Sequence, residues 1–324
     1  MKRIFLTGGA GFIGCHVAAE LLEMGYDVAV YDSFVNYVYP LNNIHIDNIK
    51  NRLKPLDRNV KTYRGSTLDQ DCLRRAVLDF KPQRVIHLAA MPLANLAIEH
   101  PEEAVQAIMM GTMNMLQVAR GFPDFERLVY VSSSMVYGDF VRIPVREDDL
   151  KDPKELYGSM KLSGELLVRA FGRLFGIDYT IVRPSAVYGP TDNNRRVLGI
   201  FLENALIGRP LLVKGAGNTL DFTFVTDAAH GIICAATHAN ASGKAYNVTR
   251  GRARSIMDGA QIVAQLVPGT KIEVVEHDKK MPVRGTLDIS RAMSEIGFKP
   301  KIDLEEGLAN YHAYLTNQRK RGIW

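Results

Sequence analysis

The sequence predicts an α/β fold: a doubly wound parallel sheet with helices on both faces, followed by a smaller C-terminal α/β lobe. Three observations carry this expectation. Short β-branched runs alternate with helix-period segments through the first 190 residues. The interiors of the strand candidates are nearly free of charge, as strands covered on both faces require. A glycine cluster follows the first strand candidate directly, where a parallel sheet opens its ligand crevice.

The elements follow in order. Arg3-Ile4-Phe5-Leu6-Thr7 reads as a buried strand, and Phe12 to Met24 as a helix with Ile13, Val17, Leu21 and Leu22 on its apolar face. Asp27–Tyr31, Val60–Tyr63, Arg84–Leu88, Leu128–Val131 and Tyr179–Val182 are the next strands. Helical patterns at Leu68–Leu78, Pro101–Arg120 and Glu155–Phe175 lie between them. Beyond Pro190, helical segments near Val197–Ile207, Asp227–Ala236 and Ser255–Leu266 alternate with short strands near Leu211–Val213, Ala245–Val248 and Lys271–Val275. The expected division is residues 1–190 for the sheet domain and 191–324 mainly for a second lobe, with some chain returning to the sheet. No low-complexity linker or internal repeat separates them.

Composition narrows the function classes. The chain is 47% hydrophobic and 23% charged, which is ordinary globular usage. It has no apolar run of about 18 residues, so no membrane span is expected, and its apolar start is too short for a signal peptide. Cys15, Cys72 and Cys234 are odd in number and far apart. They suggest neither a disulfide framework nor a metal site, and a reducing cytoplasm is expected. The net charge of +5 suits a phosphorylated ligand. No basic stripe with interleaved aromatics points to nucleic acid. Arg319-Lys320-Arg321 is read as a solvated tail.

The glycine cluster is Thr7-Gly8-Gly9-Ala10-Gly11-Phe12-Ile13-Gly14. Glycine is needed where the chain turns tightly and a pyrophosphate touches the backbone, and the following helix presents free N–H groups to it. The strand–glycine–helix context makes this a Rossmann-type dinucleotide site. Asp32 ends the second strand, where its carboxylate would hold ribose hydroxyls and repel a 2′-phosphate; NAD is therefore expected. Tyr157 and Lys161 stand four apart on one helix face, so the ammonium is expected to lower the phenol's pKa from about 10. Ser133 follows the fifth strand, at the ligand-binding edge of the sheet.

With these motifs in hand, the chain resembles the extended short-chain dehydrogenase/reductases, in particular the NAD-dependent nucleotide-sugar epimerase and dehydratase group. The resemblance covers nearly the whole chain. It rests on the glycine turn, Asp32, His87-Leu88-Ala89-Ala90, the serine run before Val136-Tyr137-Gly138, Tyr157-x-x-x-Lys161, Arg183-Pro184-Ser185-Ala186-Val187-Tyr188-Gly189-Pro190 and Asp221-Phe222-Thr223-Phe224-Val225. It implies Ser133, Tyr157 and Lys161 as catalytic residues. It implies cofactor contacts from Gly8, Gly11, Phe12, Ile13, Gly14, Asp32, Ser33, Ser66, Thr67, Leu88, Ala89, Ala90, Tyr157 and Lys161. Substrate contacts are expected from Met91, Ser134, Met135, Arg195, Arg196 and Arg284, and no metal is expected.

The implied reaction is 4-epimerisation of a UDP-sugar, UDP-glucuronate or a UDP-hexose. Tyr157 takes the 4-hydroxyl proton, NAD receives the C4 hydride, and the transient 4-keto sugar turns before the hydride returns. Dehydratases of the group carry an acid two places after the serine; Met135 stands there and cannot protonate a leaving hydroxyl. The alternatives are an NDP-4-keto-sugar reductase and a non-catalytic nucleotide-binding regulator. The stretch Asp32–Pro40 resembles that of UDP-glucuronate 4-epimerases, and Ser132, Ser133 and Ser134 offer hydroxyls to a C6 carboxylate. Leu220, Ala186 and Ile108 replace polar residues usual in the group. His87 is read as structural and Asp69 as a helix cap. A homodimer is expected through Pro101–Arg120 and Glu155–Phe175, using Met109, Met113, Leu116, Leu162, Leu166 and Leu167.

Overall fold

A computed structural model of the chain describes residues 2–37, 39–57, 60–276 and 282–324. Val38, within the Asp32–Pro40 stretch, lies outside them. The first half runs β1 (Arg3–Thr7), α1 (Phe12–Glu23), β2 (Asp27–Asp32), α2 (Asn43–Leu53), β3 (Lys61–Arg64), α3 (Gln70–Phe80), β4 (Arg84–His87), α4 (Ala94–Glu99), α5 (Pro101–Ala104), α6 (Gly111–Arg120), β5 (Arg127–Val131), α7 (Leu156–Phe175) and β6 (Tyr179–Pro184). Then come β7 (Val187–Tyr188), α8 (Val197–Leu206), β8 (Leu211–Lys214), β9 (Thr219–Leu220), β10 (Thr223–Phe224), α9 (Val225–Thr237), β11 (Lys244–Val248), β12 (Arg254–Ser255), α10 (Ile256–Leu266), β13 (Ile272–Val275), α11 (Ser290–Ile296) and α12 (Leu304–Lys320).

Seven parallel strands form the central sheet in the order β3-β2-β1-β4-β5-β6-β11. The chain reverses direction across the sheet between β1 and β4, and this switch point opens a crevice at the strands' carboxyl ends. Side chains of one strand alternate between two cores. Ile4 and Leu6 of β1, with Val28, Val30 and Ile86, face α1 and α9. Phe5, with Ala29, Val85 and Leu128, faces α3, α6 and α7. A third core, built on Leu198, Phe201, Leu202, Val263, Leu308 and Tyr311, joins α8, α10 and α12 beyond the sheet's end. No helix of the described residues is long and apolar enough to cross a membrane.

Four features go beyond the sequence reading. The Pro101–Arg120 helix is interrupted by a π-helical segment, Val105–Met110, between α5 and α6. Helix α2 buries a largely polar face, with His45, Asp47, Asn48 and Arg52, and is opened by a capping box between Asn42 and His45. Helix α12, which the sequence reading did not assign, buries Leu304, Leu308, Tyr311 and Leu315 at three-to-four spacing. The basic run at its end is docked: Arg319 donates to the Leu206 carbonyl, and Arg321 pairs with Asp47 at 2.8 Å. Finally, α9 and β11 belong to the central sheet layer, β11 pairing with β6.

Candidate active site

The turn after β1 is shaped by two close approaches. Gly8 has φ +73°, and a Cβ there would stand 2.7 Å from the Ala89 nitrogen; a Cβ on Gly14 would stand 2.3 Å from the Gly8 oxygen. Gly11 is different: within 4 Å of its Cβ position lies only the Gly8 oxygen, at 3.1 Å, and its open side faces a cleft of about 1360 Å³. Helix α1 starts just after Gly11 with no side-chain cap, so its first N–H groups are available to an anion. Asp32 closes the turn, accepting from Ala10 N at 2.9 Å and Phe34 N at 2.8 Å. Burial raises its pKa, and the two backbone bonds oppose that shift. Each carboxylate oxygen keeps a lone pair for a ribose hydroxyl. These features fit an NAD dinucleotide: a backbone cradle, an uncapped helix start and an acceptor carboxylate.

Ser133, Tyr157 and Lys161 converge on the same cleft from β5 and α7. The Ser133 hydroxyl accepts from Met135 N at 3.2 Å and acts on the Tyr157 phenol, lowering its pKa. Lys161 Nζ lies 5.8 Å from the Tyr157 ring centre and donates to the Val131 carbonyl at 2.8 Å. Burial pushes the phenol up to about 12, with Arg196 and the Ser133 bond pulling it down and Glu155 pushing it up. Burial also lowers Lys161 to about 8, against Glu165. The expected lowering of Tyr157 by Lys161 does not appear in this state: burial holds Lys161 at about 8, so it has lost its proton before a phenol at about 12 ionises, and the cation that lowers the phenol is Arg196.

A buried polar network stands behind the triad. Arg183, fully buried, makes a two-pronged pair with Glu165 at 2.8 and 2.6 Å and donates to the Tyr137 hydroxyl and the Glu147 carbonyl, each at 2.8 Å. Ser132 donates to Glu165 at 2.7 Å. Its hydroxyl proton is committed there, which corrects the expectation that Ser132 offers it to a substrate carboxylate. Ser134 differs: its hydroxyl is buried without a partner on the cleft wall, as is Arg284 Nε. Orphaned donors of this kind are costly unless a ligand meets them.

The other expected contacts are mostly gathered here. Phe12, Ile13, Ser33, Ser66, Thr67, Leu88, Ala89, Ala90, Met135, Arg195 and Arg196 line the cleft, as do Tyr37 and Tyr39 of the loop after β2. So do Ala186 and Leu220, which makes that stretch of wall apolar. Arg196 pairs with Asp192 at 2.8 Å and lies 5.5 Å over the Phe12 ring. Met91 is the exception: it is fully buried behind the wall with Ala97, Ile108 and Met160 and does not line the cleft. His87 is bonded on both ring nitrogens, to Thr7 and Thr112, and Asp69 caps α3 through Cys72 N.

Among the cleft residues that escaped the sequence reading are Arg52 and Glu155. Arg52 of α2 donates to the Thr191 carbonyl and reaches the cleft only through the fold, so no local signal marks it. Glu155 was visible as the residue opening a helix; its placement in the cleft was not.

Residues 4–249 match the NAD dependent epimerase/dehydratase family. The chain is 31% identical over 325 residues to a putative UDP-glucose 4-epimerase of Methanocaldococcus jannaschii, covering 98% of this chain and 99% of that one. Its structure is similar to UDP-glucuronic acid 4-epimerase from Bacillus cereus, solved with UDP-glucuronic acid and NAD: TM-score 0.88, 26% identity, 97% and 99% of the two chains covered. It is likewise similar to UDP-glucose 4-epimerase of Thermotoga maritima with UDP-glucose: TM-score 0.87, 26% identity, 98% and 99% covered. The glycine turn with Asp32, the Ser133–Tyr157–Lys161 group and this match lead to one conclusion: the chain belongs to the NAD-dependent epimerase/dehydratase family, as an NAD-dependent enzyme of the extended short-chain dehydrogenase/reductase type.

Proposed function

We propose that the protein is a nucleotide-sugar 4-epimerase acting on a UDP-sugar, UDP-glucuronate or a UDP-hexose. The observation that carries this reading is the meeting of Ser133, Tyr157 and Lys161 with the glycine turn in one cleft. NAD, when bound, supplies the hydride acceptor and donor. Tyr157, as phenolate, removes the sugar hydroxyl proton, and Ser133 donates to the oxygen as it becomes a ketone. Lys161 holds the nicotinamide-side ribose, and Asp32 the adenosine ribose. Arg195, Arg196 and Arg284 face the diphosphate, for which forked guanidinium groups are suited. Elimination of water would need a free acid beside the sugar. Among the described residues the cleft's carboxylates are Asp32, Glu103 and Glu155. Asp32 belongs to the glycine turn, both Glu155 oxygens are held by backbone N–H groups, and Glu103 is exposed on α5. This supports epimerisation over dehydration. Ser134 and Arg284, with their unpaired donors, are the groups offered to a sugar hydroxyl or carboxylate.

The test is a proton NMR time course with UDP-glucuronate, then UDP-glucose, without added reductant. Conversion of one of them to its C4 epimer is expected. Turnover only with added reduced nicotinamide and a 4-keto sugar would replace this reading with the reductase one.

The reading includes a homodimer in a reducing, cytoplasmic setting, which the three free cysteines suit. Met110, Leu166 and Leu174 are 48%, 57% and 73% exposed around α6 and α7, apolar surface for a partner copy to cover. Leu116, expected on that face, is instead in the core. Light scattering at micromolar protein should give about twice the 36.1 kDa chain mass; a monomer mass would remove this element.

A further inference from the structure

Outside the cleft, α1 and α9 bring a second group of reactive side chains together. His230 and Cys234 stand four apart on α9 and so share a face. His230 Nδ1 lies 2.6 Å from a carboxylate oxygen of Glu20 on α1, and His230 Nε2 lies 3.5 Å from Cys234 Sγ. The order is acid, base, nucleophile: the carboxylate fixes which ring nitrogen carries the proton and turns the other toward the sulfur. None of the three lines the cleft, and all three are half-buried, with part of their surface exposed. The imidazole is pushed up to about 10 by the thiol first and then by the carboxylate, which favours imidazolium beside the sulfur. The other two cysteines lack this arrangement. Cys15 is buried, and burial pushes its thiol up to about 11. Cys72 Sγ accepts from Arg75 at 3.2 Å, a guanidinium that cannot serve as a base.

We propose that Cys234 is a nucleophilic thiol and a site of reversible modification by small disulfides, with His230 as its base and Glu20 orienting that base. The helix itself gives no help. Cys234 lies in the last turn of α9, at the negative end of the helix dipole, so the charge that stabilises a thiolate comes from His230. Neighbouring charges are engaged elsewhere: Asp227 of α9 accepts from Lys301 N and Ile302 N, and Arg291 and Glu295 of α11 pair with Asp148 and Lys244. In the exchange, His230 takes the Cys234 proton and the thiolate attacks one sulfur of the disulfide. A bond forms between Cys234 Sγ and that sulfur, and the original S–S bond breaks. The released half leaves as a thiol with the proton from His230; Cys234 is oxidised and the released half reduced. Such a thiol stays free in a reducing compartment and is capped when the compartment turns oxidising.

The experiment treats the full chain with glutathione disulfide at about pH 7 and follows each cysteine by peptide mass spectrometry. Folded Cys234 should be capped about tenfold faster than Cys234 of the urea-unfolded chain, although it is partly buried. Cys15 should stay unreacted, which reports that the core is closed. His230→Asn should slow the capping of Cys234 about tenfold and Glu20→Gln about threefold, with Cys15 still protected. A variant in which Cys15 reacts has opened its core, and the comparison then rests on the other. A folded rate at or below the unfolded one, or a rate unmoved in a variant that keeps Cys15 protected, overturns the proposal and leaves His230 and Glu20 as a contact joining α1 to α9. The readout uses no nucleotide-sugar, so it stands whether or not the epimerase reading holds.

Discussion

Tyr157→Phe should lower turnover by roughly a thousand-fold or more while leaving the fold and NAD binding in place. The phenol is the one group of the cleft placed to take a proton beside a hydroxyl donor, Ser133, and a buried ammonium, Lys161. Removing its oxygen deletes the base and keeps the ring packed among Met160, Ala90 and Ala107. Loss should therefore appear in kcat, with KM little changed. The NMR time course reads the first effect and a thermal melt the second. Retention of more than about a tenth of the activity would assign the proton transfer elsewhere.

Glu165→Ala should be strongly destabilising, at about 3–5 kcal/mol. It leaves the fully buried Arg183 guanidinium without its counter-charge and removes the acceptor of Ser132. It also removes the anion that supports the Lys161 ammonium, so catalysis weakens beyond the loss of folded protein. The double change Glu165→Leu with Arg183→Met is the control. Replacing both charges removes the desolvation cost along with the attraction, so the double variant should be more stable than Glu165→Ala alone. Urea melts decide it. A Glu165→Ala variant within about 1 kcal/mol of wild type would mean that Arg183 finds another partner.

Much of the fold was legible because its signals are local. A parallel strand covered on both faces has to be an uncharged β-branched run, and β1 was readable to its last residue. The glycine turn is likewise local, since the approach of Gly14 to Gly8 follows from six residues of sequence. Helix α2 was not assigned because the face it buries is largely polar, His45, Asp47, Asn48 and Arg52; α12 was not assigned although Leu304, Leu308, Tyr311 and Leu315 follow a helical period and are buried in the third core. What holds them is contact far along the chain, as between Asn48 and Tyr314 at 2.7 Å and between Asp47 and Arg321.

The sequence by itself determined the α/β class, the dinucleotide turn with Asp32 at the end of the second strand, and the side chains proposed as catalytic, because each depends on residue type at short spacing. Tertiary structure alone decided their environment. It withdrew Met91 behind the cleft wall and committed Ser132 to Glu165. It brought Arg52, Glu155 and Arg284 to the cleft from separate parts of the chain. It also brought Arg196 close enough to lower the phenol against its burial. The physical reason is that burial and electric fields depend on distance through space, and residues as far apart in sequence as Glu155 and Arg284 meet only when the chain has folded.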